Sequence, residues 1–168
     1  MDRAKREAHT MTLQNQMWQC WALSHWKPLL EKHGRHFLAA RGIGSWPPEA
    51  YAGRLGECFA NAANLVCLKD SNFSYVEGLA ERPSVGIVTE HAWVIDKRTN
   101  DIIDPTWKND GVDYVGVAFE TAGVRKHILG PRCKGSMIVS ASCASEPETL
   151  KHIVVLRAGI PFRFPPLS

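Results

Sequence analysis

The sequence has no stretch approaching the ~18 consecutive apolar residues that a membrane-spanning helix requires, and its opening segment, MDRAKREAHT, leads into no continuous apolar run. The first absence argues against a helical membrane span, and the second predicts a protein without a secretory leader that works in the cytoplasm. Concentrated charge is missing too. The formal net charge is only +3, and the basic residues fall in small scattered groups: Arg3, Lys5 and Arg6, then Arg125 and Lys126, then Arg132 and Lys134. Neither a nucleic-acid partner nor a membrane-surface partner is expected from such scatter. Cysteine is sparse and unpaired in pattern. Cys20, Cys58, Cys67, Cys133 and Cys143 make an odd count of five at irregular spacings, which predicts reduced thiols rather than a disulfide framework. No internal repeat, low-complexity segment or glycine-rich phosphate cradle is present. Cys133 and Cys143 lie ten residues apart, and His33 and His36 share a segment that reads as helical. Neither spacing reproduces the paired short motifs of a zinc site, so no metal and no cofactor is expected.

What is there suits one globular domain. The 168 residues are enough for a single hydrophobic core, and 45% hydrophobic with 22% charged residues is an ordinary soluble composition. Residues 1–42 read as a helical extension. Met17, Trp18, Trp21, Ala22 and His25 recur at helical spacing, Pro28 can open a second helix at its first turn, and Gly42 can end it. Gly42 to Gly56, rich in Gly and Pro, marks a long connection. A helix is then predicted over Glu57–Asp70, followed by strands at Phe73–Leu79, Ile87–Ile95, Ile102–Trp107 and Val112–Phe119. Lys97, Arg98, Thr99 and Asn100 give the second and third of these strands a hairpin turn. Residues 120–168 are the least legible: Glu148–Arg157 suits a helix, His152–Leu156 suits a strand, and the tail IPFRFPPLS is too proline-rich for regular structure. The fold class is α+β, with a helix packed on an antiparallel sheet behind an N-terminal helical extension.

Three residues on this framework can work together. Cys58 stands at the predicted start of a helix, where the helix dipole favours the reactive thiolate. His91 lies in the strand EHAWVID and Asp104 in the next strand, IIDPTW. Hairpin partners bring side chains of one face side by side, so Asp104 can accept a hydrogen bond from the imidazole and fix its tautomer. The other ring nitrogen is then available to the thiol, which is the arrangement of an activated nucleophile. Each residue alone has an ordinary reading: a core cysteine, a structural histidine, and an aspartate that begins a turn before Pro105. Their order and placement give the combination its weight.

The stretch H-A-W-V from His91 and D-P-T from Asp104 resembles the signature of the transglutaminase-like superfamily. There, a helix N-terminal Cys is followed by a strand His, usually with an aromatic two residues later, and by a strand Asp before Pro and Thr. The resemblance covers roughly residues 56–119 and implies a papain-like core with Cys58, His91 and Asp104 as a catalytic triad. Phe59 follows the cysteine where many members carry Trp, and neither the N-terminal forty nor the last fifty residues match the family pattern. Substrate identity is therefore not implied by the resemblance.

The expected activity is cysteine-dependent acyl transfer on a peptide, protein or small amide substrate, as in a peptidase, amidase, deamidase or transglutaminase. Hydrolysis suits so small a chain best. The alternatives are an arylamine-type N-acyltransferase, which also uses Cys, His and Asp, and a non-catalytic binding module that retains the fold. An oxyanion hole would use the backbone N–H of Cys58 and a second donor from among Trp46, Tyr51, Gln14, Gln16 and Gln19. Trp93 and Trp107 flank the His and Asp as walls of the site or as core aromatics, with at least one expected in the core. Glu77 and Glu90 are expected at solvent-facing strand positions.

Overall fold

The computed structural model describes residues 23–38, 53–68, 72–108, 110–128, 136–137, 151–155 and 159–161. Their elements run α1 (Leu23–His33), β1 (Arg35–Leu38), α2 (Cys58–Leu68), β2 (Phe73–Arg82), β3 (Ile87–Asp96), β4 (Ile102–Ile103), β5 (Asp113–Phe119), α3 (Thr121–His127), β6 (Ile153–Val154) and β7 (Ile160–Pro161). The protein is α+β. One seven-stranded sheet has the order β4-β3-β2-β5-β1-β7, with β6 also paired to β5, and every pairing is antiparallel.

The sheet separates two apolar clusters. On one face Tyr75, Leu79, Ala92, Val94, Val115, Val117 and Phe119 pack against Ala62, Ala63, Leu65 and Val66 of α2, with Leu30 of α1. On the other, Val76, Ala80, Trp93, Ile95, Tyr114 and Ala118 join Phe37 of β1 and Ile102 of β4. β1 and β4 stand far apart in the strand order, so a shared cluster between them means that the sheet curls. Consequently β2, a central strand, is buried on both faces along nearly its whole length.

Small residues make the curl possible. Gly78 and Gly116 are register partners on β2 and β5. A Cβ on Gly116 would lie 2.5 Å from the Trp93 ring, and one on Gly78 would lie 1.8 Å from the Val115 carbonyl oxygen. The bare backbone at Gly116 thus gives the Trp93 indole its place over the sheet.

Several elements differ from the sequence reading. The part of the N-terminal extension that is described is not wholly helical. α1 begins five residues before Pro28 and stops at His33, and residues 35–38 then enter the sheet as β1. Gly34, rather than Gly42, closes the helix: its N–H bonds Leu30 O at 2.8 Å, and a Cβ there would lie 2.3 Å from the same oxygen. His36 consequently leaves the helix for β1, where its Nε2 pairs with Asp113 Oδ1. β4 is only two residues long because Pro105 cannot donate to a ladder and Asp104 starts a turn. The proline-rich tail contributes β7, an edge strand on β1, where a proline needs no inward N–H. Within Glu148–Arg157, the strand reading holds at Ile153–Val154. Met17, Trp18, Trp21 and Ala22 lie outside the described residues.

Candidate active site

The position of Cys58 is built by a glycine turn and a helix. Gly56, at φ 86°, takes a left-handed conformation open to glycine, and α2 starts two residues later at Cys58. An asparagine inside the helix then ties this start to a distant loop. Asn61 is buried, and its Nδ2 donates to Arg54 O at 2.8 Å and to Thr106 Oγ1 at 3.0 Å. Beside it, Gly53 N–H donates to Pro105 O at 2.8 Å, and a Cβ on Gly53 would overlap the Asn61 amide. The start of α2 is thereby fastened to the Asp104-Pro105-Thr106 turn, 46 residues away along the chain (104 − 58).

β3 brings the other side of the site. β4 pairs with it only at Val94 and Ile95, so the edge of β3 nearer His91 is not covered by β4. Cys58 occupies that edge: the backbone N–H of Ala92 is directed at its thiol, as is that of Phe59. Cys58 thus meets the residue that directly follows His91. The His91 ring belongs to the sheet face opposite that of Ala92.

Asp104 holds the imidazole and the turn at once. Its Oδ2 accepts from His91 Nε2 at 2.8 Å and from Tyr114 Oη at 3.1 Å. Its Oδ1 accepts from the backbone N–H groups of Thr106 and Trp107, each at 2.9 Å. Four donors converge on this buried carboxylate, so His91 Nε2 carries a proton and Nδ1 is the nitrogen not engaged by Asp104. Trp107 stacks on the His91 ring with centroids 3.7 Å apart and planes 15° apart, which fixes the ring plane. Arg82 lies over the far ring of that stack, 5.7 Å from the Trp107 centroid. Both tryptophans are core aromatics of this face, and the deeper is Trp93. It is fully buried, edge-on to Phe37, and its Nε1 has no hydrogen-bond partner.

The electrostatics of Cys58 differ from the expectation of a thiol shifted toward thiolate. Burial pushes the thiol up and outweighs the Ala92 and Phe59 N–H groups, which pull it down. The negative charges of Glu77 and Asp104 push it up further. The balance holds the Cys58 thiol toward its neutral form. The nearby Tyr114 phenol is likewise pushed up, first by burial and then by Asp104, and stays a hydrogen-bond donor.

Glu77 corrects a second expectation, because it is not at the surface. It is fully buried on β2 with Tyr75, Ser136 and Met137 as hydrogen-bond donors. Glu90 is partly buried. Asn61, Thr106 and Tyr114 were not singled out as supports of the site by sequence reasoning, whereas Glu77 was weighed beside the triad and read as solvent-facing. Asn61 carries a signal that it shares with Asn64, a poor helix former in a largely apolar helix, and Thr106 stands within the D-P-T motif. Tyr114 and Glu77 carry none, since their contacts come from strand register. The suggested second oxyanion donors, Trp46, Tyr51, Gln14, Gln16 and Gln19, lie outside the described residues, as do Cys20, Cys133 and Cys143. Cys58 and Cys67 are free thiols. Among the described residues no group of three His, Cys, Asp or Glu side chains is arranged to hold a metal, and no helix is long and apolar enough to cross a membrane.

Comparison with family models, with curated proteins and with solved structures finds no match.

Proposed function

We propose that the protein is a cysteine-dependent acyl-transfer enzyme with a papain- or transglutaminase-like core, acting on a peptide or amide bond through a thioester at Cys58. One observation carries the reading. The thiol at the start of α2 lies against the backbone of the residue after His91, while Nε2 of that imidazole is fixed on Asp104 at 2.8 Å. A histidine merely filling a core does not require four donors gathered on its carboxylate partner, nor a thiol brought to the adjacent strand edge.

The chemistry follows from the protonation states. As Cys58 Sγ bonds to the substrate carbonyl carbon, its proton passes to His91 Nδ1 and the carbonyl π pair moves onto oxygen. Asp104 stabilises the imidazolium so formed. Collapse of the tetrahedral intermediate breaks the C–N bond, and His91 returns the proton to the leaving amine. Water, or an amine, then attacks the thioester with His91 again accepting a proton, and the thiol is restored. Residues from the Asn61–Thr106 and Gly53–Pro105 contacts hold the two halves of this arrangement in register.

The test is mass spectrometry of a peptide mixture incubated with wild-type and Cys58→Ala protein. Cleaved, deamidated or cross-linked peptides that arise with the wild type and vanish with the variant are expected. A product formed equally by both proteins would contradict the assignment of Cys58.

A further inference from the structure

The Asp104 oxygen that holds His91 has a second donor. Tyr114 Oη donates to Oδ2 at 3.1 Å, the same atom that accepts from His91 Nε2 at 2.8 Å, while Oδ1 takes the Thr106 and Trp107 N–H groups. A buried phenol needs an acceptor, but this one is reached at a distance. Tyr114 stands on β5, which β2 separates from β3, and Asp104 follows β4 on the side of β3 away from β2. On the face between them β2 carries Gly78 and Ala80, small residues that leave the ring a path across the strand. The ring is fully buried, with its centroid 5.1 Å from that of Trp93 and 6.4 Å from that of His91. The hydroxyl also has a niche of its own. A Cβ on Gly111 would lie 1.9 Å from Tyr114 Oη and 2.4 Å from its Cζ. Gly111 is buried and its backbone is not left-handed, so the hydroxyl, rather than the path of the chain, demands a bare Cα there.

We propose that Tyr114 is a positioning residue for the His91–Asp104 pair: its hydroxyl anchors Oδ2, so the carboxylate stays aimed at Nε2 while the imidazole takes up and returns a proton. The inference rests on the acyl-transfer reading above and deepens it. The two backbone donors grip only Oδ1, which leaves the carboxylate plane able to pivot about that oxygen. Oδ2 has two holds against the pivot, and one of them is the imidazole, the group whose charge changes during the reaction. The tyrosine is the hold that stays the same throughout, because burial and then the Asp104 charge keep the phenol protonated. It also fills the second lone pair of Oδ2, which closes that position to water.

The experiment follows the His91 Nε2 proton by NMR on the full nitrogen-15-labelled chain and measures its exchange with water in wild type and Tyr114→Phe. The Trp93 Nε1 proton, buried on the same face without a hydrogen-bond partner, is the internal reference. Loosened packing would speed both protons alike, whereas loss of the anchor speeds only that of His91. Exchange of the His91 proton is expected to rise at least about tenfold relative to Trp93, the lower end of what a hydrogen bond to a charged group contributes. Acylation of Cys58 by p-nitrophenyl acetate, read by peptide mapping against Cys67, should fall by about the same factor. An unchanged His91 exchange, an equal rise for both protons, or Cys58 acylation at the wild-type rate in Tyr114→Phe overturns the proposal. If Tyr114→Phe does not fold, Gly111→Ala supplies the test: its Cβ displaces the hydroxyl from Oδ2 while leaving the phenol in the chain. It should reproduce both effects, and wild-type values in it overturn the proposal. The exchange measurement needs no substrate, so it judges the anchor separately from the Cys58→Ala product assay that judges the acyl-transfer reading.

Discussion

Burial and hydrogen bonding pull the Cys58 thiol in opposite directions, and burial prevails. The helix N-terminus suggested a thiolate because its N–H groups favour negative charge. The sequence could not show that the same thiol lies under the edge of β3 with two carboxylates nearby. This balance has a consequence for stability. A thiol that ionises less readily in the folded chain than in the unfolded chain favours folding below the unfolded value, roughly pH 8.5. That contribution is lost as pH rises from the unfolded value through the folded one, because the unfolded thiol releases its proton first. Melting temperatures recorded from neutral to alkaline pH should fall more steeply for the wild type than for Cys58→Ala. Parallel curves would mean that burial does not govern this thiol. Asp104 teaches a related lesson at the same scale. The sequence posed turn-starter and histidine partner as competing roles, whereas its two oxygens perform one each.

At the scale of elements, legibility followed hydrophobic pattern and failed where tertiary contacts decide. The α2 helix and the four strands after it were readable from apolar periodicity and β-branched residues, and β3 and β4 pair as the turn at residues 97–100 predicted. Asn100, at φ 64°, supplies the left-handed residue that such a turn needs. β1 was missed because four residues, RHFL, carry too little pattern to compete with the helical reading around them. Glu77 was misread because alternation normally places a charge on a solvent face, and nothing local reveals that a curled sheet buries both faces of β2. The curl itself yields a prediction. A Cβ on Gly116 would come within 2.4 Å of Glu77 O and 2.5 Å of the Trp93 ring. Because one of these neighbours is backbone, relief requires the strands to move apart. Gly116→Ala should therefore destabilise by roughly 1–3 kcal/mol, the usual range for overpacking. That corresponds to a fall in Tm of about 2–12 °C for a chain of this size. A variant melting within about a degree of the wild type would show that the Trp93 side of the sheet is looser than the packing implies.

Across the whole molecule, chain segments distant in sequence complete one sheet and one site. β7 closes on β1, β6 on β5, and Ser136 and Met137 reach Glu77, so short described segments of the least legible part of the chain join the sheet and its core. Those pairings are long-range, and composition alone carries no trace of them. The resemblance carried by His91 and Asp104 could be read because both residues lie in one hairpin and its following turn. Asn61, which joins that turn to α2, acts across 45 residues, so its partner was silent in the sequence. The central claim is that these segments combine to make Cys58 a nucleophile, and Asp104→Asn tests it most directly. The Thr106 and Trp107 N–H groups require an acceptor, so the amide oxygen takes the Oδ1 position and the amide nitrogen faces His91 Nε2. His91 must then accept at Nε2 and carry its proton on Nδ1, where it cannot take one from the thiol. The measurement is the rate at which p-nitrophenyl acetate acylates Cys58, read by peptide mapping with Cys67 as the internal reference. Acylation of Cys58 should fall at least about a hundredfold in Asp104→Asn, with the Cys67 rate and the melting temperature little changed. A folded variant whose Cys58 acylates at close to the wild-type rate would contradict the account.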